Sequence, residues 1–581
     1  MNSISRIQRL PIYTAALTTI VVIPSLLDPI NLPKLWILCF GAGLSFAFFS
    51  SQILSIWKSP NSKALPLVSL AFVFALLISS IASKQEVFRT LVGVWGRNNG
   101  ALAYIAMFVI FLSLATMKSD DNSKYLIKAL VLLGIFFSLY GWMQINDADV
   151  IDWENSGNRI ILTLGNSDFA SALFALTAIG TLTMILQSNL QMWKRATLII
   201  SFLVQTYMTF KSDALQGFLA LLLGSAILIG LWLAYSNRTT FKRFAIVWWV
   251  TIFVTGVLGI IGLSGRGPLS SFLNPNLRSI EDRYYFWVAA LNMMKNNLFF
   301  GVGIDSYGDY YRKFRTIEGI NFRGTPMTGT NNAHNTVMQI GATGGLTLLF
   351  AYLGIIFFTG YRAIIALRKS DNKILVSGIL SIWIAFQLQS IVSIDQIGLV
   401  VWGWASAGCL VSLSYINPKE KVPKKSLRET NPSSISKPKN KFKSLLILIG
   451  ILPSILLIPT IQNEMSLRNQ LTALLNSDNL VSLKSNGREV VRIASISNHP
   501  ELRLQAFDYL LKVGLNEDAL ALIKKNTLEY PNSFDSWNAI ALIYEQLGEK
   551  SEAMSYRAKS VELDPLNSQV KKLLESDMAS D

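Results

Sequence analysis

Apolar residues in this chain come in blocks of roughly 17–25, the length at which a helix crosses about 30 Å of hydrocarbon. Ala64–Ser83 reads ALPLVSLAFVFALLISSIAS, and Ala214–Ser236 is a run with almost no polar side chain. A buried soluble helix can imitate one such block, but a dozen of them call for a bilayer. Composition agrees: 51% of the residues are apolar and only 15% charged, against about 25% charged in soluble domains. The blocks predict an all-α fold, a polytopic bundle of about thirteen transmembrane helices. Its spans are 11–29, 34–56, 64–83, 101–117, 124–145, 168–187, 196–210, 214–235, 244–263, 336–361, 373–394, 397–416 and 444–461. Pro11–Pro29 lacks a small-residue cleavage site and runs at once into a second apolar segment, so it reads as a span rather than a cleaved signal.

Lys and Arg in the short connections set the orientation. With Arg6 and Arg9 inside, alternate connections hold Lys58 and Lys63, Lys118 and Lys124, Lys194 and Arg195, Arg238 with Lys242 and Arg243, and Arg362 through Lys373. Pro418–Lys443 adds nine more. The opposite connections are sparse, with Lys34, Arg159, Lys211 and the trio Lys84, Arg89 and Arg97. The pattern divides the chain into N-terminal transmembrane helices (1–263), a large outer loop (264–335), C-terminal transmembrane helices (336–461) with a cytoplasmic linker (417–443), and an outer domain (462–581). The expected location is the plasma membrane, with a cytoplasmic N-terminus and an extracytoplasmic C-terminal domain. The net charge of +16 needs only anionic lipid headgroups as counterions, so nucleic acid is not an expected partner. Cys39 and Cys409 both fall in apolar spans and read as buried small hydrophobes rather than a disulfide.

After Ile461 the hydropathy falls and amphipathic spacing begins. Gly514 and Gly548, Ala519 and Ala553, and Pro531 and Pro565 recur 34 residues apart. That period, with Trp537, Ala541 and Tyr544 ahead of the second Gly, resembles the tetratricopeptide repeat. The helices of 465–497 are candidates for a degenerate third unit. Such a surface suits docking of a protein partner or a glycan; the plainer alternative is a rigid appendage. His499, between two of these helices, is assigned no chemistry.

The sequence holds no Walker loop, dinucleotide fingerprint or Gly-x-Ser-x-Gly elbow. Two histidines in all leave little material for a zinc site of His/Cys type. Chemistry must then sit in the outer loop, which is aromatic and basic. A helix from about Pro275 to Asn296 would carry Arg283 and Trp287 on one face, four apart. A Gly-marked turn follows at Phe299–Ile304, and the loop closes on Asn331-Asn332-Ala333-His334-Asn335 at the mouth of the next span.

The run NNAHNTVMQIGATGGLTLLF (331–350), preceded by RYYFWVAALNMMKNNLFFGVG (283–303), resembles the O-antigen ligase and polymerase superfamily. VGVWGRNNG (92–100) is similar to that family's Arg-x-x-Gly element, and LGNSDFAS (164–171) to its Gly-Asn motif. The resemblance implies a GT-C-like membrane transferase. Such an enzyme moves a glycan from an undecaprenyl-diphosphate carrier to a glycan, lipid or protein acceptor outside the cytoplasm, with no metal, nucleotide sugar or other cofactor. Carried onto this chain, it implies His334 as base and Arg283 with Arg97 as diphosphate clamps. Asn335 and Asn166 become orienting groups, and Trp287 and Lys211 further substrate contacts. The chemistry fits: guanidinium forks bind diphosphate bidentately, and imidazole suits removal of a hydroxyl proton. One departure stands out. Where many members carry Ser-Arg-Gly, this chain reads Phe210-Lys211-Ser212-Asp213-Ala214-Leu215-Gln216-Gly217, leaving Lys211 or Gln216 to stand in for the arginine.

The competing readings are a transporter of lipid-linked glycan and a non-catalytic protein that docks or senses through its repeats. Transporters place polar groups near the midplane, whereas the polar side chains of these spans reduce largely to Gln205, Gln387, Gln389 and Asp395. The topology makes a direct prediction. A phosphatase fused after residue 581 should be active in cells, and a fluorescent reporter there that works only in the cytoplasm should stay dark. The reverse pattern would overturn the orientation.

Overall fold

The computed structural model describes residues 7–55, 63–117, 120–153, 159–187, 190–263, 267, 270, 277–416 and 440–580. Arg6, Lys58, Lys118, Arg266 and most of the expected linker lie outside the described residues. The described chain is helical, in keeping with the all-α reading. In order it runs α1 (Leu10–Ile20), α2 (Asn31–Ser55), α3 (Ala64–Ala82), α4 (Val87–Val92), α5 (Ala101–Ala115), α6 (Asp121–Ile145), α7 (Ser167–Ile185) and α8 (Met192–Lys211). Then come α9 (Leu215–Ala234), α10 (Thr239–Leu263), α11 (Leu277–Asn296), α12 (Tyr307–Phe314), α13 (Ile317–Arg323), α14 (Thr336–Lys369), α15 (Lys373–Ser390) and α16 (Ile397–Ser414). Last are α17 (Asn440–Leu475), α18 (Leu480–Ile496), α19 (Pro500–Lys512), α20 (Asn516–Glu529), α21 (Phe534–Gln546), α22 (Lys550–Leu563) and α23 (Ser568–Ser580).

Ten of these helices are long and apolar enough to cross a membrane. Each of the thirteen expected blocks forms a helix, but three fall short of that standard. Helices α1 and α5 are apolar yet only 11 and 15 residues long, and α8 opens on Lys194 and Arg195. The bundle is centred on α16, all of whose residues are buried. Glycines set the closest helix contacts. A Cβ on Gly43 of α2 would lie 1.9 Å from the Gly450 carbonyl of α17, and one on Gly217 of α9 would lie 1.9 Å from the Ser171 hydroxyl of α7. Such approach is how helices pack where lipid supplies no hydrophobic drive.

Two interruptions deserve a physical account, because an unpaired backbone group in hydrocarbon costs several kcal/mol. The first is in the block expected at 11–29, where α1 stops at Ile20 and the chain turns extended at Val21. Lys34, expected in an outer connection, is instead fully buried in α2. Its ammonium donates to the carbonyls of Thr18, Thr19 and Val21 at 3.2, 2.8 and 2.8 Å, satisfying the frayed end of α1. The second is in α14, where Gly345 takes φ +67° and breaks the helix. Segment 298–303 slots into the break. Val302 and Gly303 N–H donate to the Ala342 and Thr343 carbonyls at 3.0 Å each, while Leu346 and Thr347 N–H donate to Leu298 and Phe299 at 2.8 and 3.2 Å. The Ser79 hydroxyl takes the Gly344 carbonyl at 2.8 Å.

Helix α17 continues from its apolar half into the C-terminal domain, where Leu467, Leu471 and Leu474 join a core with Val490, Leu502, Phe507, Leu510, Leu522 and Ile540. The helices beyond pack as successive pairs. Gly514 and Gly548 occupy the turns at φ +79°, and the buried Ala519 and Ala553 let paired helices approach.

The α14 break yields a prediction. Gly301 has φ +69°, and a Cβ there would sit 2.3 Å from the Thr343 carbonyl carbon. Gly301→Ala should lower the melting temperature of the purified protein, and Gly256→Ala, where a Cβ meets no neighbour within 4 Å, should not. Equal melting of both variants would show that the insert does not support the broken helix.

Candidate functional site

Three connections meet over a cavity of about 1120 Å³: the 84–97 segment around α4, the 164–169 turn before α7, and the 308–334 part of the outer loop. The cavity brings together His334, Arg97 and Asn166 of the expected site residues.

The Asn-Ala-His-Asn turn is built by side-chain amides. Asn332 Oδ1 accepts from the His334 N–H at 2.9 Å, and Gln339 Oε1 from the Ala333 N–H at 2.9 Å. Asn335 Oδ1 caps α14 by accepting from the Met338 N–H at 3.0 Å. Together they hold His334 at φ +51°, a left-handed conformation a non-glycine residue takes only under constraint. Asn335 thus organises backbone here and does not line the cavity. The half-buried imidazole lies 5.4 Å from the Phe286 ring of α11. Burial first, then the fields of Arg283, Arg97 and Arg323, push its pKa down to about 4.

Arg97 is presented by a strained loop in which Gly93, Gly96 and Asn98 all have positive φ. Its anchor is the buried Asp305, whose Oδ2 accepts the Val94 and Asn99 N–H at 2.9 and 3.2 Å. Burial raises the Asp305 carboxyl to about 7 against those bonds and the Arg89 and Arg97 charges. Arg97 touches Asn331 Oδ1 at 3.4 Å, and its Nε is buried without a partner. Asn166 is exposed and caps α7 through the Asp168 N–H at 2.8 Å.

Arg283 is half-buried in α11 and does not line the cavity. Its charge nonetheless acts on both His334 and Asp168, and among the described residues no hydrogen bond or ion pair holds it. Trp287, one turn on, has a buried indole N–H without an acceptor. Lys211 is exposed at the end of α8, outside the cavity lining. Gln216 is buried and donates to the Ser393 hydroxyl at 3.3 Å. The structure does not bring either substitute for the missing arginine to the cavity.

Sequence reasoning missed the clamp that closes the cavity. Arg89 of α4, 4% exposed, bonds Asp309 of α12 through Nε and Nη2 at 3.0 and 2.7 Å, and Glu501 of α19 through Nη1 at 2.8 Å. A second clamp joins Arg315 to both oxygens of Asp564 at 2.7 Å. His499, fully buried, stacks edge-on against Phe88 at 5.1 Å. These contacts fasten the C-terminal domain to the same side of the bundle as His334. The only sequence cue was the unexplained trio Lys84, Arg89 and Arg97; the pairing of Arg89 with a residue some 400 positions away leaves no local signal.

A comparison with curated proteins finds no match. Residues 198–353 match the family model described as O-antigen ligase. The matched stretch runs from within α8 into α14 and so contains Lys211, Arg283, Trp287, His334 and Asn335, with Arg97 and Asn166 outside it. The chain is thus a multi-pass helical bundle whose stretch 198–353 is similar to the O-antigen ligase family of membrane proteins.

Proposed function

We propose that the protein transfers a glycan from undecaprenyl diphosphate to a hydroxyl-bearing acceptor at the outer face of the plasma membrane, with the N-terminus in the cytoplasm and the C-terminal domain outside. The observation that carries this reading is the convergence of His334 and Arg97, from separate connections, on one cavity. Arg97, which lines the cavity and holds no ion pair among the described residues, takes the diphosphate, and the nearby Arg283 field stabilises the charge that develops on the leaving group. His334 removes the acceptor proton as the acceptor oxygen attacks the anomeric carbon, and the lipid diphosphate departs. Asn166 orients the glycan, while Trp287 and Asn335 support α11 and the His334 turn. Metal independence is in keeping with the engagement of two loop carboxylates: Asp305 is taken up by backbone N–H groups and Asp309 by Arg89.

An imidazole near 4 is a weak base, and its depression comes partly from three guanidiniums. A bound diphosphate neutralises that field, so donor binding itself raises the His334 pKa and strengthens the base. A base works only when deprotonated, so rate falls as pH falls through its pKa. The profile of kcat/KM reports the free enzyme and that of kcat the donor complex. The acid limb of kcat should therefore lie at higher pH than that of kcat/KM, the latter near 4. His334→Ala should lose about 10²–10⁴-fold in turnover with donor binding retained, and Arg97→Lys should fail nearly as badly as Arg97→Ala, because a point charge cannot replace the fork. The assay is transfer from a polyprenyl-diphosphate glycan by purified protein, with and without chelator. Full turnover in His334→Ala, or two coincident acid limbs, contradicts the assignment.

A further inference from the structure

The far wall of the cavity belongs to the C-terminal domain, and its chemistry differs from that of the His334 side. It consists of Glu501 and Leu504 of α19 and the stretch from Glu529 to Asp535 that joins α20 to α21. We propose that this wall is the saccharide subsite and selects glycans of neutral or amino sugars over glycans carrying uronic acids or other anionic groups. The proposal rests on the transfer reading above and adds its substrate class.

Size comes first. At about 1120 Å³ the cavity exceeds the roughly 300–1,000 Å³ of a drug-sized ligand pocket, which leaves room for an oligosaccharide beside the diphosphate. Donors and acceptors come next. The exposed Asn532 reaches the Tyr310 hydroxyl with its amide nitrogen at 3.3 Å, leaving its amide oxygen free of any bond among the described residues. Such an oxygen accepts from sugar hydroxyls and ammonium groups. The half-buried Trp95 and Tyr530 also line the space, and aromatic faces cover the C–H faces of sugar rings.

Charge decides the class. Five carboxylates (Glu86, Asp309, Glu501, Glu529 and Asp535) stand at this end with Lys84, Arg89 and Arg312. The guanidiniums near these acids are engaged: Arg89 by Asp309 and Glu501, Arg312 by Asp535 and Asp564, and Arg503, just behind the wall, by Glu529, which also meets Lys525. Lys84 is the cation of this end that holds no ion pair among the described residues. A glycan carboxylate here would meet five acids against one unpaired ammonium, so like charge disfavours it.

The test uses the full-length protein in nanodiscs and three soluble probes of equal length: maltopentaose, the glucosamine pentamer and pentagalacturonate. At low salt the glucosamine pentamer should bind about tenfold or more tighter than pentagalacturonate, and the gap should shrink as salt rises. The double variant Glu529→Gln, Asp535→Asn should narrow the gap about three- to fivefold, chiefly through tighter binding of pentagalacturonate. Both carboxylates are well exposed, at 44% and 63% of the side chain, and the amide oxygen of Glu529→Gln can still accept from the buried Arg503 that Glu529 meets at 2.5 Å, so the variant should fold, and an unchanged melting curve checks it. Equal or tighter binding of pentagalacturonate, no binding of any probe, or a gap untouched by the double variant overturns the proposal. Should diphosphate-linked transfer fail while this discrimination holds, the transfer reading falls and the saccharide wall stands.

Discussion

A membrane offers no water to an interrupted helix, and this fold is organised by how its broken backbones are satisfied. Reactive side chains need loops and strained turns, yet every N–H and carbonyl released must find a partner in the protein. Lys34 supplies one for the end of α1. Segment 298–303 supplies a set for the break at Gly345. Asp305 gathers the Val94 and Asn99 amides of the Arg97 loop. The second and third devices share the 298–305 stretch, so the path of the outer loop sets both the break in α14, the helix that His334 precedes, and the loop that carries Arg97. Site geometry follows from backbone pairing before any substrate is considered.

The C-terminal domain is held on by charges rather than by a broad apolar face. Arg89, Arg315 and Asp564 are all nearly buried, and breaking a buried pair by removing one partner typically costs about 3–5 kcal/mol. Apolar contact adds to this, with Leu27 and Trp95 packing on the domain core. Buried ion pairs do little for stability against well-packed hydrophobes, but they are exacting about register. That exactness matters here, since a shift of the domain would move Glu501 of α19 and Tyr530 at the end of α20 relative to His334. The domain is thereby a wall of the cavity as well as an appendage to it.

Much of this was legible in the chain. Hydrocarbon-length blocks gave the bundle, and α11 was expected at 275–296 where 277–296 is helical. The Gly-marked turn at Phe299–Ile304 was visible, but the break at Gly345 lay inside a span read as continuous over 336–361, and the pairing of the two segments, some 40 residues apart, leaves no local signal. Residue type misled at Asn335 and Lys34. An asparagine in a motif suggests ligand contact, yet this one caps a helix; a lysine between two apolar blocks suggests a loop, yet this one is buried. The clamps at Arg89 and Arg315 were illegible for a simpler reason, since ion pairs across hundreds of residues leave no period or motif.

The central claim is that a lipid diphosphate sits beside Arg97 and His334. A cryo-electron microscopy map of the protein with a non-hydrolysable phosphonate analogue of a polyprenyl-diphosphate sugar tests it most directly. The account predicts phosphorus density within contact distance of the Arg97 guanidinium, with the sugar between it and His334. Density instead in the cavity at the opposite helix ends, lined by Gln8, Gln52, Asn122 and Lys443, would contradict it and favour passage of the lipid over chemistry upon it.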